Sequence, residues 1–166
     1  MSDIRILAPD ERHFHSLYQA LGIVAAEKKY LSLLAAPPLP DSLAFYRGLR
    51  NRGDPHFVAV EGDNVLGWVD IAPQFGEARA HIGTLGIALL PEARHRGLGR
   101  RLMQAAIEKA WANGLARIEL SVRVDNMNAL ALYERCGFVR EGLLRRAHRI
   151  DGVDHDVLAM ALLKDE

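Results

Sequence analysis

A chain of 166 residues can bury one well-filled core and falls short of two ordinary domains, so a single domain over residues 1–166 is expected. Lys plus Arg and Asp plus Glu both total 21, which gives no charge-based reason to expect a nucleic-acid partner. No apolar run approaches the roughly 20 residues that cross a bilayer, and the lone Cys136 has no partner for an internal disulfide. Residues 1–5 lack the apolar stretch of a signal peptide, so the cytoplasm is the expected compartment.

Ile4–Leu7 reads as a strand stopped by Pro9, and Asp10 is placed to cap a helix running towards Lys29 along Leu17, Leu21, Val24 and Ala25. Pro37, Pro38 and Pro40 cannot continue that helix, and Asp41 is expected to cap a second one through about Arg50. His56–Glu61 and residues 65–72 read as an antiparallel pair around Gly62, Asp63 and Asn64. An apolar run over residues 80–90 ends at Pro91, and a helical period follows through Leu98, Leu102, Ala106 and Ala110 until Asn113 and Gly114 close it. Residues 117–124 form a fifth strand, Met127–Arg135 a helix ending at Gly137, and residues 138–148 with Val153–Leu163 a last hairpin around Asp151 and Gly152. Antiparallel strands come first and a strand, helix, strand unit sits in the middle.

Arg94, His95, Arg96, Gly97, Leu98, Gly99 and Arg100 lie where a strand gives way to a helix, so free amides and the positive end of the helix dipole face outward. Glycines at 97 and 99 let the main chain approach phosphate oxygens, and the arginines add charge. A P-loop would continue Gly-Lys-Ser/Thr, whereas Gly99 is followed by Arg100 and Arg101; a dinucleotide fold wants a third glycine where this chain has Leu102. Alone, the turn reads equally well as a tight connection with a solvated basic face.

Residues 85–99 and 125–138 together resemble the GCN5-related N-acetyltransferases, the GNAT family. Arg94, Gly97 and Gly99 fit its Arg/Gln-x-x-Gly-x-Gly/Ala signature. Asn126, Ala129, Leu132, Tyr133, Gly137 and Phe138 fit its Asn-x-x-Ala-x-x-Leu-Tyr-x-x-x-Gly-Phe pattern. The match is strongest over residues 80–142. It implies an α+β fold, one acyl-CoA N-acyltransferase domain whose splayed mixed sheet of six to seven strands is flanked by about four helices. Acetyl-CoA, the acyl donor, would wedge where the fourth and fifth strands part, and no metal is implied. Arg94, His95, Arg96, Gly97, Leu98, Gly99 and Arg100 would hold the pyrophosphate, while Ile87, Ala88 and Leu89 pair with the pantetheine arm and Asn126 bonds nearby. Tyr133 would be the general acid for the departing thiolate, and a backbone N–H among residues 85–87 would meet the oxyanion.

The base is less defined, because Ser121 stands where some family members carry glutamate. Candidates are Asp70 on the third strand, His81 on the fourth and Glu27 near the end of the first helix. A lone strand histidine is more often structural, and Glu27 and Asp70 read equally as a solvated charge and a satisfied polar group. His13 and His15, two apart on a helix, point away from each other and suggest no metal site. Cys136 reads as packing before Gly137. The expected reaction is acetyl transfer to the amine of a small molecule, an amino acid or related amine. Protein N-terminal or lysine acetylation is the alternative within the class, and a non-catalytic acyl-CoA-binding module the alternative outside it. The expected partner is thus a small-molecule amine, with no nucleic acid and no membrane; a homodimer is expected only from general prevalence.

Overall fold

A computed structural model describes residues 3–165. Its elements in chain order are β1 (Ile4–Leu7), α1 (Glu11–Ala26), α2 (Leu39–Arg52), β2 (His56–Glu61), β3 (Asn64–Pro73), β4 (Ile82–Leu89), α3 (Leu98–Ala112), β5 (Arg117–Arg123), α4 (Met127–Arg135), β6 (Val139–Ile150) and β7 (Val153–Leu163). The strands form one sheet of order β1-β2-β3-β4-β5-β7-β6, within the six to seven expected, and four α-helices flank it. Every pairing is antiparallel except β4 with β5, the one that α3 connects by a crossover.

Helix α1 starts as its sequence dictates. The Asp10 carboxylate accepts the Arg12 N–H at 3.0 Å, and the Asp10 N–H donates to His13 Nδ1 at 3.0 Å, completing a reciprocal cap. His13 is therefore a buried capping residue. Helix α2 departs from expectation: it begins at Leu39 with Pro40 in its first turn, so Asp41 is not the cap. A first-turn amide has no helical acceptor, and a proline there loses nothing. Asp41 instead lies inside the first turn, where the helix dipole favours negative charge.

The two sheet faces follow from a few contacts. The Tyr46 ring of α2 lies 5.9 Å from that of His56, and His56 stands directly opposite Asp70, so the even residues of β3 and β4 face α1 and α2. A Cβ added to Gly83 would strike Ile71 and Leu115, the residue reached just after α3, so the odd residues face α3. Helix α4 lies on the α3 side, since a Cβ on Gly99 would come within 3.1 Å of Leu132. Phe14, Leu17 and Leu49 fill one layer, and Leu102, Met103, Ile118 and Met160 belong to the same fully buried core.

Gly67 marks a close approach inside this core. A Cβ there would press on the Leu89 side chain and stand 2.9 Å from the Ala88 carbonyl oxygen, which is backbone and cannot swing aside. Gly67→Ala is expected to destabilise the fold by about 1–3 kcal/mol, as overpacking does, read as a lower urea midpoint with unchanged slope.

Candidate active site

Strands β4 and β5 pair only at Ile82 with Arg117, Gly83 with Ile118 and Thr84 with Glu119, and then part. What the parting exposes can be read from hydrogen-bond parity. Gln74 N–H donates to the Ile82 carbonyl at 3.0 Å and Leu90 N–H to the Leu66 carbonyl at 2.8 Å, so even residues of β4 turn their main chain to β3. The odd ones turn theirs to the gap. The Arg117 N–H to His81 carbonyl bond, 3.2 Å, starts a parallel ladder whose last rung carries the Leu85 N–H to the Glu119 carbonyl. Past that rung, the Leu85 carbonyl, the Ile87 N–H and carbonyl and the Leu89 N–H have no strand partner. The Leu89 carbonyl is capped by Arg94, from Nε at 3.1 Å and Nη2 at 3.0 Å. The open edge thus offers two donors and two acceptors, a match for a ligand carrying amides.

A polar cluster holds the point of parting. Gln74 Nε2 donates to Thr84 Oγ1 at 3.2 Å and to Glu119 Oε2 at 2.7 Å, and Arg117 Nε donates to Glu119 Oε1 at 2.9 Å. Arg117 also grips Glu141 of β6 through Nη1 at 3.0 Å and through a shorter Nη2 contact. Burial alone would raise the Glu119 pKa, but the hydrogen bonds from Arg117 and Gln74 and the nearby arginine charges bring it below the ordinary value, so the cluster stays ionised.

At the far end of β4 the chain turns through Arg94 to Gly97, with His95 at φ 61° and Gly97 at φ 76°. Gly97 caps α3 without any side-chain bond, and the first helical bond is Arg101 N–H to the Gly97 carbonyl at 3.3 Å. Amides 97–100 therefore precede the helical ladder and are free for an anion at the positive end of the dipole. A Cβ on Gly97 would meet nothing within 4 Å, so that side of the turn is open.

Three titratable groups gather on the α1/α2 face of β2 and β3. Asp70 pairs with Gly86 in β4, and a Cβ on Gly86 would lie 3.8 and 3.9 Å from its carboxylate oxygens. The Ile71 N–H to Pro55 carbonyl bond makes His56 and Asp70 a non-hydrogen-bonded pair, the kind whose side chains approach most closely. Desolvation pushes the Asp70 carboxyl up to about 7 and the His56 imidazole down to about 4. His56 is buried with Nε2 unpartnered, and desolvation, helped by the Asp70 charge, raises the Tyr46 phenol above its ordinary range.

On the opposite face, Tyr133 of α4 is buried beside Phe138, ring centroids 6.0 Å apart. Desolvation, and then the Cys136 thiol, lift its hydroxyl above the ordinary tyrosine value, so it stays protonated at every working pH. Asn126 caps α4, its Oδ1 accepting the Ala129 N–H at 3.3 Å. Among the described residues no three His, Cys, Asp or Glu side chains gather to hold a metal ion, and no helix is long and apolar enough to cross a membrane.

The sequence model of the acetyltransferase (GNAT) family matches residues 16–138. The L-amino acid N-acetyltransferase AaaT of Escherichia coli is 30% identical over 166 residues, 99% of this chain and all of that one. The N-alpha-acetyltransferase RimI of Mycobacterium tuberculosis is 37% identical over 116 residues, 67% of this chain and 68% of its own. A GNAT-family acetyltransferase from Streptococcus pneumoniae superposes with a TM-score of 0.90 at 27% identity, covering 98% of this chain and 100% of that one. The chain belongs to the GNAT family. It is an N-acetyltransferase of that family, and an acetyltransferase of the same fold from Salmonella typhimurium, 19% identical with a TM-score of 0.93 over 99% of this chain and 96% of that one, is solved with acetyl-CoA.

Acetyl-CoA suits these groups: a turn of free amides for a diphosphate, and an open strand edge with amide-matching donors and acceptors. The sequence-derived residues distribute unevenly around that fit. His95, Arg96, Gly97, Leu98, Gly99 and Arg100 make the turn, and Ile87 and Leu89 the edge. Ala88 lies between them with its main chain committed to Trp68, so its backbone does not face the gap. The Arg94 guanidinium is not at liberty for phosphate: Nη1 and Nη2 grip Glu27 at 2.9 and 2.6 Å, Nη2 also holds the Leu89 carbonyl, and the group lies 4.5 Å over the Tyr30 ring. The same ion pair removes Glu27 from the free bases. His81 lies just before β4 at the closed end, its carbonyl bonded by the Ala116 and Arg117 amides at 2.9 and 3.2 Å, and it is exposed. Of the three candidate bases, Asp70 stands opposite Gly86 in the open stretch of β4, Glu27 is engaged by Arg94, and His81 lies at the closed end. His56 was not singled out from sequence, and only strand register reveals it beside Asp70.

Gly97→Val is expected to weaken acetyl-CoA binding at least 100-fold by calorimetry, because a branched side chain both shields the amides and strains a left-handed position; the circular dichroism spectrum should stay native.

Proposed function

We propose that this protein acetylates the amine of a small molecule, a free amino acid or a related amine. The observation that carries this is the span across the acceptor side. Lys28, two residues past the end of α1, reaches Asp151 in the β6–β7 turn at 3.1 and 3.2 Å. On this reading the tie hinders an extended polypeptide more than it hinders a small amine. The full-length similarity to a protein named as an L-amino acid N-acetyltransferase supports the same reading. The similarity to RimI favours a second one, acetylation of a protein N-terminus, for which the Lys28–Asp151 tie would have to open.

In the proposed reaction Asp70 takes the proton that makes the amine nucleophilic, directly or through water. The amine nitrogen forms a bond to the thioester carbon while the Ile87 N–H, the first free donor past the last rung, stabilises the oxygen that gains charge. Tyr133 gives its proton to the sulfur as the carbon–sulfur bond breaks, and the phenolate is reprotonated by the second proton that the acylated nitrogen sheds, so that one proton per turnover leaves through Asp70. Base and acid stand on opposite faces of the sheet, so the amine is deprotonated from one side and the thiolate protonated from the other.

Each role has its own readout. Free L-amino acids, spermidine and a short peptide with a free N-terminus, assayed for released coenzyme A thiol, should show turnover with free amino acids; turnover with the peptide alone would overturn the small-molecule reading. Tyr133→Phe should lower kcat by about 100-fold or more and leave acetyl-CoA affinity nearly unchanged. A base works deprotonated, so wild-type kcat/KM should rise with pH through about 7 and then level. Asp70→Asn should lose that limb along with about 100-fold in rate; a limb that survives the substitution would assign the base elsewhere.

A further inference from the structure

Two adjacent residues after α1 are tied to both lips of the gap. On the β4 lip, the Glu27 carboxylate takes both terminal nitrogens of Arg94, whose Nε and Nη2 also hold the Leu89 carbonyl at the end of the open edge. On the β5 lip, Arg123 Nη1 donates to the Lys28 carbonyl at 3.4 Å, with its Nε and Nη2 anchored on Asp125 at 3.0 and 2.6 Å. Lys28 holds a positive φ of 57°, so the chain turns sharply between its two attachments. The Arg94 guanidinium also covers Tyr30, which lies in the loop towards α2. Arg94 and Glu27 are each about three-quarters buried, with side-chain exposures of 22% and 24%, so this bidentate pair is sheltered from the water that weakens surface ion pairs.

We propose that Glu27 and Lys28 form a strap across the mouth of the β4/β5 gap, and that Arg94 is a positioning residue whose grip on Glu27 and on the Leu89 carbonyl couples donor binding to the order of the acceptor loop. Arg94 ends the edge on which the donor lies and anchors the loop beside which the acceptor enters. A donor seated on the edge fixes Leu89, Leu89 fixes Arg94, and Arg94 fixes Glu27 and Tyr30. Coupling of this kind is reciprocal, so an ordered loop in turn favours the donor. The proposal rests on the reading of β4 and the turn as the acetyl-CoA site, and its test separates the two.

Hydrogen–deuterium exchange of the full chain, with and without acetyl-CoA, reads both regions at once. In the wild type acetyl-CoA should slow exchange at residues 97–100 and also at residues 28–34. Glu27→Ala should speed exchange at 28–34 by about tenfold or more, the scale of a charged bidentate bond, and abolish its response to acetyl-CoA while 97–100 remain protected. Arg94→Met should give the same loop behaviour, and the double variant should add nothing further, because both changes cut one link. A loop whose exchange and acetyl-CoA response match the wild type in either single variant would overturn the strap, as would single effects that sum in the double variant. Absence of protection at 97–100 in the wild type would instead overturn the donor site itself.

Discussion

The active-site architecture depends on where a parallel ladder stops. Had β4 and β5 stayed paired beyond Thr84 and Glu119, the main-chain groups of Leu85, Ile87 and Leu89 would be closed off as ordinary sheet bonds. Leaving them open has a cost, since unpaired backbone groups away from water are unfavourable. The chain limits that cost at both ends of the opening. The cluster of Gln74, Thr84, Arg117 and Glu119 fixes the vertex with charge-assisted bonds, and Arg94 caps the last free carbonyl. Between those limits lies a stretch that a ligand with amide groups completes as a neighbouring strand would.

One physical cause, removal of water, has opposite chemical results on the two sides of this opening. For Asp70 it raises the carboxyl to about 7, which brings a group otherwise fully ionised at neutrality into the range where it can accept and release a proton. For Tyr133 it moves the phenol further from neutrality and keeps its proton in place. The buried neutral imidazole of His56 next to Asp70 supplies no positive charge that would pull the carboxyl back down. On the proposed mechanism, burial alone prepares both the base and the acid.

What could be read from the sequence follows the range of the interactions involved. The turn at Gly97, the capping of α1 by Asp10 and the place of Tyr133 on α4 were legible because each depends on residues within a few positions of one another. Strand limits were legible to within a few residues for the same reason. The cap of α2 was misjudged because a first-turn proline is invisible to a rule that treats proline as a breaker. Which amides of β4 face the gap was not legible, because the answer depends on register against β3, and the family resemblance takes Ala88 together with its neighbours. Neither was the engagement of Arg94 with Glu27, 67 positions away in the chain, which withdraws one residue from phosphate binding and another from base chemistry.

The tie between Lys28 and Asp151 differs from the sheltered pair a residue earlier. Both its side chains are largely in water, at 46% and 68% exposure. Contacts of this sort contribute about 0–1 kcal/mol and weaken as salt is added. The doorway on the acceptor side is therefore held by a latch whose grip loosens as ionic strength rises. On the proposed reading, discrimination against a bulky visitor at that threshold is graded and relaxes in concentrated salt.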